Sequence, residues 1–99
     1  MFEWDRNNLR KIRAHEIKPE EAEQTLLNDP ILIDVQDLEV EIRFVYYGET
    51  NAGRLLGVVA TERGDNMRVV TAYDLNAKQR RNYHTQRDQG SERNDEKDA

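Results

Sequence analysis

Hydrophobic positions in the middle of the chain recur at the spacing of a β-strand. Ile42, Phe44 and Tyr46 alternate with Glu41, Arg43, Val45 and Tyr47, of which the last two are also apolar or aromatic. Alternation with a period of two places these three side chains on one face of a strand. The pattern predicts that this face, Tyr46 included, packs against the core.

Two further apolar segments follow in residues 55–61 and 67–73. The first is unbroken, which is typical of a central strand covered on both sides, and the second is rich in β-branched residues. Short turns ending in or containing glycine, at residues 49–53 and 63–66, connect the three segments. Turns this short permit only antiparallel neighbours. Residues 41–74 are therefore predicted to form an antiparallel β-meander.

Helical patterns lie on both sides of this meander. Residues 5–15 form a predicted first helix with Asp5 as its N-cap. Pro19 fits the first position of a second helix, which Asn28-Asp29-Pro30 ends. A last helix is predicted from Ala77 to about Gln86, with a capping box formed by Asn76 and Gln79.

Between the second helix and the meander, residues 31–35 are a short β-like run and residues 36–39 a polar connection. Residues 1–87 are read as one domain. Residues 88–98 hold no apolar side chain, so the tail at residues 88–99 is predicted to be disordered.

Composition limits the class of protein. The chain has 99 residues, no cysteine and no apolar run long enough for a membrane span. Its first residues lack the basic and apolar regions of a signal peptide, so a cytoplasmic location is expected. A domain this small has a modest core, which favours association with another chain or a second copy.

The net charge of −5 is unevenly distributed. Residues 14–53 hold ten acids against Lys18 and Arg43, whereas residues 54–87 hold seven bases against three acids. A local basic patch for a polyanion is therefore compatible with the acidic total.

From Phe2 to Tyr83 the chain resembles the BrnT family of bacterial toxins, small ribonucleases related in fold to the RelE group. The segments that carry the resemblance are Phe2-Glu3-Trp4-Asp5, Ile12 with His15 and Ile17, Pro19-Glu20-Glu21-Ala22-Glu23, Asn28-Asp29-Pro30, Glu41 with Arg43, Gly48, Gly53-Arg54-Leu55-Leu56, Thr61-Glu62-Arg63-Gly64-Asp65, Arg68-Val69-Val70-Thr71-Ala72, and Arg80-Arg81 with Tyr83.

The resemblance implies an α+β fold in which two N-terminal helices pack on a twisted antiparallel β-meander, followed by a C-terminal helix. It also implies RNA cleavage without a metal ion or other cofactor, and an antitoxin protein as partner. Association with the ribosome and a homodimer stay open. The chain departs from the family pattern at Glu16, where glycine is usual, and at Tyr73, where many members have arginine.

Candidate catalytic residues are those able to move a proton or stabilise charge on a phosphodiester. His15 or Glu41 would transfer the proton, fixed arginines would stabilise the phosphate, and an aromatic ring would stack on a base. The predicted catalytic set is His15, Glu41, Arg54, Arg68 and Tyr73, and the predicted RNA-binding set is Arg43, Arg63, Lys78 and Arg81.

Structural alternatives exist for each of these residues. His15 could bond the last carbonyls of its helix, Glu41 could simply pair with Arg43, and the other cations could be solvated. A noncatalytic protein-interaction module with the same fold is therefore the rival to a ribonuclease. No metal site is expected, because two distant histidines and scattered carboxylates do not form a ligand set.

Overall fold

A computed structural model describes the backbone of residues 1–98 and the side chains of residues 1–89. Within these residues the elements are β1 (Phe2–Glu3), α1 (Arg6–Ala14), α2 (Pro19–Leu27), β2 (Ile31–Leu38), β3 (Glu41–Glu49), β4 (Leu55–Arg63), β5 (Asn66–Asp74) and α3 (Ala77–Asp98). The strands form one sheet in the order β1-β5-β4-β3-β2. The predicted α+β class is confirmed.

The two N-terminal helices begin where the sequence predicts. The carboxylate of Asp5 accepts the backbone N–H of Asn8 at 2.7 Å and caps α1. In α2, Pro19 occupies the first turn and the Glu21 carboxylate accepts the backbone N–H of Lys18 at 2.9 Å. Both helices pack on the sheet, α1 on β5 and α2 on β3 and β4.

The meander of β3, β4 and β5 is antiparallel, as predicted. Two features of the sheet differ from the sequence-based expectation. β2 runs to Leu38, so most of the predicted polar connection at residues 36–39 pairs with β3 instead. β1 adds a parallel strand beside β5, with Glu3 opposite Arg68. A two-residue strand carries too little periodicity to be recognised from sequence.

Buried side chains form a core on each face of the sheet. On one face, Ile12, Ile17 and Ala22 from the helical region meet side chains of β4 and β5, with Trp4 and Leu26 at the border. On the other face the cluster contains Val45, Tyr47, Leu75 and Tyr83, the last from α3. β4 contributes to both clusters, which confirms it as a strand covered on both sides.

The predicted core face of β3 is wrong. Val45 and Tyr47 are the large buried side chains of this strand, whereas Tyr46 is half-buried and Ile42 is exposed. Both faces of β3 carry apolar side chains, so periodicity alone could not choose between them. The choice depends on α3, which covers the face of Val45 and Tyr47 with Tyr83.

α3 begins as predicted at Ala77. Asn76 and Gln79 exchange reciprocal hydrogen bonds of 2.8 Å between side chain and backbone, which is a capping box. The helix runs beyond the predicted end near Gln86 as far as Asp98. Disorder is predicted for residues 88–99. Most of these residues, 90–99, lie outside the part of the chain whose side chains the structure describes, so the disorder stays a prediction. No described helix is long and apolar enough to cross a membrane.

Candidate functional site

A polar cavity of about 250 Å³ lies between the first turns of α1 and one end of the sheet. Residues of α1 and its cap form one wall, and three neighbouring strands form the floor. The lining residues are Asp5, Asn7, Asn8, Lys11, Glu41, Arg43, Thr61, Arg68 and Val70. The predicted residues Glu41, Arg43 and Arg68 thus share one site.

A row of three polar side chains crosses this floor. Arg43 in β3 is opposite Thr61 in β4, and Thr61 is opposite Arg68 in β5. Residues directly opposite each other in a sheet project from the same face. With about 5 Å between strands, the Cα atoms of Arg43 and Arg68 are roughly 10 Å apart. Arg43 and Arg68 therefore lie on either side of Thr61 in the sheet.

Each guanidinium is oriented by a carboxylate. Arg43 Nε lies 2.6 Å from Glu41 Oε2, and these residues are two apart in β3, so they project on the same side. An Arg68 terminal nitrogen pairs with Asp5 Oδ2. All four side chains are only partly exposed. A guanidinium has five N–H donors, so both arginines keep donors for a further anion.

The side chains of the cavity carry a small positive charge. Lys11, Arg43 and Arg68 are cations, whereas Asp5 and Glu41 are anions, which gives a net charge of +1. Thr61 donates its hydroxyl to the carbonyl of Ile42 at 2.7 Å. Cations, a carboxylate and asparagine amides around a small cavity can bind a phosphate and accept a proton from a hydroxyl.

Arg54 lies at the opposite end of β4. It precedes Leu55 and is seven positions before Thr61, which in a strand corresponds to roughly 20 Å. Its Nε and one terminal nitrogen bind the Asp74 carboxylate at 2.8 and 2.9 Å. The terminal nitrogens also donate to the Glu21 carboxylate, to the carbonyl of Glu16 at 3.0 Å and to that of His15 at 3.5 Å.

These contacts make Arg54 a clamp that joins β4 and β5 to the end of α1. Glu16 has a φ of 57°, so the helix ends there with carbonyls that need donors. The hydrogen bond from Arg54 lowers the pKa of Asp74, whereas burial opposes this change. The nearby His15 lowers the same pKa further. The bond from the Lys18 backbone, and secondarily Arg54, lowers the pKa of Glu21. The same carboxylates raise the pKa of Arg54.

Tyr73 belongs to the second core cluster. It is opposite Gly57 in β4, and a Cβ atom on Gly57 would lie 2.5 Å from two ring carbons of Tyr73. The ring therefore covers the glycine, an arrangement that fills the space of the missing side chain. Burial raises the pKa of Tyr73, as does the neighbouring Tyr47. Tyr73 does not line the polar cavity.

The remaining predicted RNA-binding residues are dispersed. Arg63 is an exposed residue at the end of β4, and Lys78 and Arg81 are exposed on α3, which packs on the other core. His15 contacts the Arg54 clamp through its carbonyl. Of the nine predicted site residues, three line the cavity and six do not.

Sequence reasoning missed part of the cavity wall. The sequence marks Asp5 as a helix cap, and both Asp5 and Thr61 belong to segments that carry the family resemblance, but neither is predicted as a site residue. Asn8 and Lys11 carry no signal of a site in the sequence. The missing information is the parallel pairing of β1 with β5, which brings the start of α1 beside Arg68. No sequence pattern predicts the pairing between residues 3 and 68.

Comparison with known proteins gives one family match. The family model described as ribonuclease toxin, BrnT, of type II toxin-antitoxin system matches residues 4–79, more than three quarters of the chain. The matched segment contains all nine residues that line the polar cavity. No curated protein matches the chain.

Proposed function

The chain belongs to the BrnT family of ribonuclease toxins of type II toxin-antitoxin systems, and on this premise we propose that it cleaves RNA at the polar cavity without a metal ion. We further propose that it acts in the cytoplasm and that an antitoxin protein neutralises it. The observation that carries the catalytic part is the row of Arg43, Thr61 and Arg68, with a carboxylate orienting each arginine.

The two arginines suit a phosphodiester whose charge grows during cleavage. Guanidinium groups bind phosphate oxygens with two parallel hydrogen bonds, and fixed cations stabilise the charge that develops on those oxygens. Because Asp5 and Glu41 hold the two groups before RNA arrives, little reorganisation is needed at the moment of reaction. Lys11 adds a third cation at the wall of the same cavity.

Glu41 is the group best positioned to accept a proton. In the proposed reaction the ribose 2′-hydroxyl gives its proton to Glu41, and its oxygen attacks the phosphorus. The bond to the 5′-oxygen breaks, a 2′,3′-cyclic phosphate forms, and water supplies the proton to the leaving oxygen. His15, the other predicted base, does not line the cavity.

Arg54 and Tyr73 are assigned structural roles in this proposal. All the nitrogens of the Arg54 guanidinium bind partners within the chain, and the Tyr73 ring covers Gly57. Neither residue has a free group directed at the polar cavity. The arginine that many family members have at the Tyr73 position is therefore not needed for the arrangement described.

A noncatalytic interaction module is the second candidate function. It is favoured by the ion pairs Arg43–Glu41 and Arg68–Asp5, which leave each arginine charge compensated in the absence of RNA. Expression in bacteria separates the two functions. A ribonuclease toxin should arrest growth unless its antitoxin is present, whereas a module should be harmless.

The direct test uses the purified full chain and its Arg43→Gln and Arg68→Gln variants with single-stranded RNA, in the presence and absence of ribosomes and of EDTA. Cleavage to 2′,3′-cyclic phosphate ends that survives EDTA and falls about 100-fold in each variant is expected. Arg10→Gln, an exposed change on α1, is the matched control and should cleave normally. Equal RNA cleavage by all four proteins, or cleavage abolished by EDTA, would contradict the proposal.

A further inference from the structure

One face of β2 and β3 is apolar and bare. Its side chains are Leu32, Val35, Ile42, Phe44 and Tyr46, here called the uncovered face. Leu32 is opposite Tyr46 and Val35 is opposite Phe44, so these side chains project together. Leu32, Val35 and Ile42 are 48%, 51% and 46% exposed, which is unusual for adjoining large apolar residues of a soluble domain.

The placement of the helices explains why this face is bare. α2 rests on β3 at Gly48, where a Cβ atom would lie 3.0 Å from Thr25 Cγ2 and 3.2 Å from Pro30 Cβ. α1 packs on the same face but over β5, toward the other edge of the sheet. From Tyr46 towards Ile42, no helix among the described residues continues the layer that α1 and α2 form on this side.

Two open cavities border the uncovered face. One, of about 440 Å³, lies between α2 and the β4–β5 turn, and its apolar lining includes Leu26, Leu27 and Tyr46. The other, of about 420 Å³, is lined by Val40, Ile42 and Phe44 among others. Both cavities include Glu62, and the rings of Phe44 and Tyr46 are 6.4 Å apart between centroids. The two cavities, which share Glu62 in their lining, are together called the groove.

The rim of the groove is acidic. Asp37 is opposite Ile42, Glu62 joins the two cavities and Asp65 lies in the β4–β5 turn, whereas Arg63 is the side-chain cation among the lining residues of the two cavities. Burial raises the pKa of Tyr46, and the charge of Glu62 adds to this, which is consistent with Glu62 lying beside the ring.

The acidic charge of the rim argues against two possible occupants of the groove. Residues 88–99 of the chain carry five acids against Arg93 and Lys97, so the chain's own C-terminus would meet like charge. A second copy in a two-fold interface would set the same acids against each other. A partner with basic side chains around an apolar stripe fits both the groove and its rim.

We propose that the uncovered face binds an amphipathic helix of a protein partner. Its large apolar residues would enter the two cavities, and its Lys or Arg residues would meet Glu62 and Asp65. A helix there would extend the layer of α1 and α2 across β3 and β2, the common way to bury one face of a sheet. Taking the antitoxin as the protein that supplies this helix rests on the proposed function, whereas the chemistry of the face does not.

The test uses two designed helical peptides of about 20 residues as probes. Both carry the same apolar stripe, and their polar faces carry either lysine or glutamate. Fluorescence anisotropy measures the binding of each labelled peptide to the full chain. The lysine peptide should bind at least about tenfold more tightly, and the difference should shrink at high salt because screening weakens the rim charges.

Variants locate the binding surface. Val35→Lys combined with Ile42→Lys should weaken the lysine peptide about tenfold. Gln36→Lys is the matched control, since Gln36 is in β2 on the opposite face, opposite Arg43, and it should bind normally. Glu62→Lys should reduce or reverse the preference for the lysine peptide, whereas Asp88→Lys should not.

Several results would overturn the inference. These are failure of the lysine peptide to bind, equal binding of both peptides, equal weakening by Gln36→Lys, or a homodimer in sedimentation that Ile42→Lys dissociates. RNA cleavage is measured on the same variants and should be unchanged. Peptide binding without any RNA cleavage would reject the ribonuclease and support the docking face. RNA cleavage without peptide binding would support the ribonuclease and reject the docking face.

Discussion

Asp5 and Arg68 form an ion pair that joins the start of α1 to β5. The same carboxylate accepts the backbone N–H of Asn8 and so caps the helix. One side chain therefore fixes both the first turn of α1 and the direction of an arginine in the polar cavity. Sixty-three residues separate the pair in the sequence.

The two roles of Asp5 can be separated by substitution. Asp5→Asn should retain the cap but lose the charge, so the free energy of unfolding should change little. Asp5→Ala should lower it by about 1 kcal/mol, because the cap is lost. Both variants should cleave RNA more slowly if Arg68 must be oriented. Urea unfolding and a cleavage assay measure the two effects, and normal cleavage by both variants would exclude an orienting role.

Arg54 should matter for stability. Arg54→Ala removes donors to two carboxylates and two carbonyls, and should lower the free energy of unfolding by about 2 kcal/mol, a value reduced because the group is partly exposed. Arg10→Ala, on the exposed side of α1, should change stability by less than about 0.5 kcal/mol. Urea unfolding compares the variants, and equal stability of the two would contradict the clamp.

The clamp also predicts a pH dependence. The pKa values of Asp74 and Glu21 are lowered in the folded state, so their stabilisation is present above the unfolded values near about pH 4 and is lost as the pH falls through the folded values. The stability difference between the natural chain and Arg54→Gln should therefore narrow as the pH is lowered through this range. Chemical unfolding at a series of pH values measures it. A gap independent of pH would show that these carboxylates do not depend on Arg54.

Gly57 and Tyr73 should be energetically coupled. Gly57→Ala places a methyl group against the Tyr73 ring and should cost about 1–3 kcal/mol. In a Tyr73→Ala background the same change should cost less, because the ring is gone. A double-mutant cycle by urea unfolding gives the coupling energy, and additive effects would indicate that the two residues do not touch. Tyr73→Phe should leave RNA cleavage unchanged.

Glu41 and His15 can be compared directly as proton acceptors. Glu41→Gln should lower the cleavage rate by about 100-fold or more, the usual loss for a general base, while the side chain keeps its size. His15→Gln should leave the rate nearly unchanged, since His15 does not line the cavity. Single-turnover RNA cleavage by the two variants measures this. The opposite ranking would return the proton transfer to His15.

Much of the architecture could be predicted because its signals are local. The caps Asp5 and Asn76 and the first-turn proline Pro19 identify the starts of the three helices, and each signal depends on residues within one turn. The antiparallel meander follows from turn lengths. The buried face of β3 could not be predicted, because both of its faces carry apolar side chains and α3 decides between them.

The candidate site also has a part that could be predicted from local signals and a part that could not. The order of residues is enough to predict the three meander strands, the helix starts, the family resemblance and the presence of arginines along the meander. Which arginines act together depends on the three-dimensional fold. Strand register sets Arg43 and Arg68 beside Thr61, while Arg54 lies at the far end of β4 with its donors occupied. The type of each side chain can be read at its own position in the sequence. The partner of each charged group depends on which distant segments of the chain pair with each other.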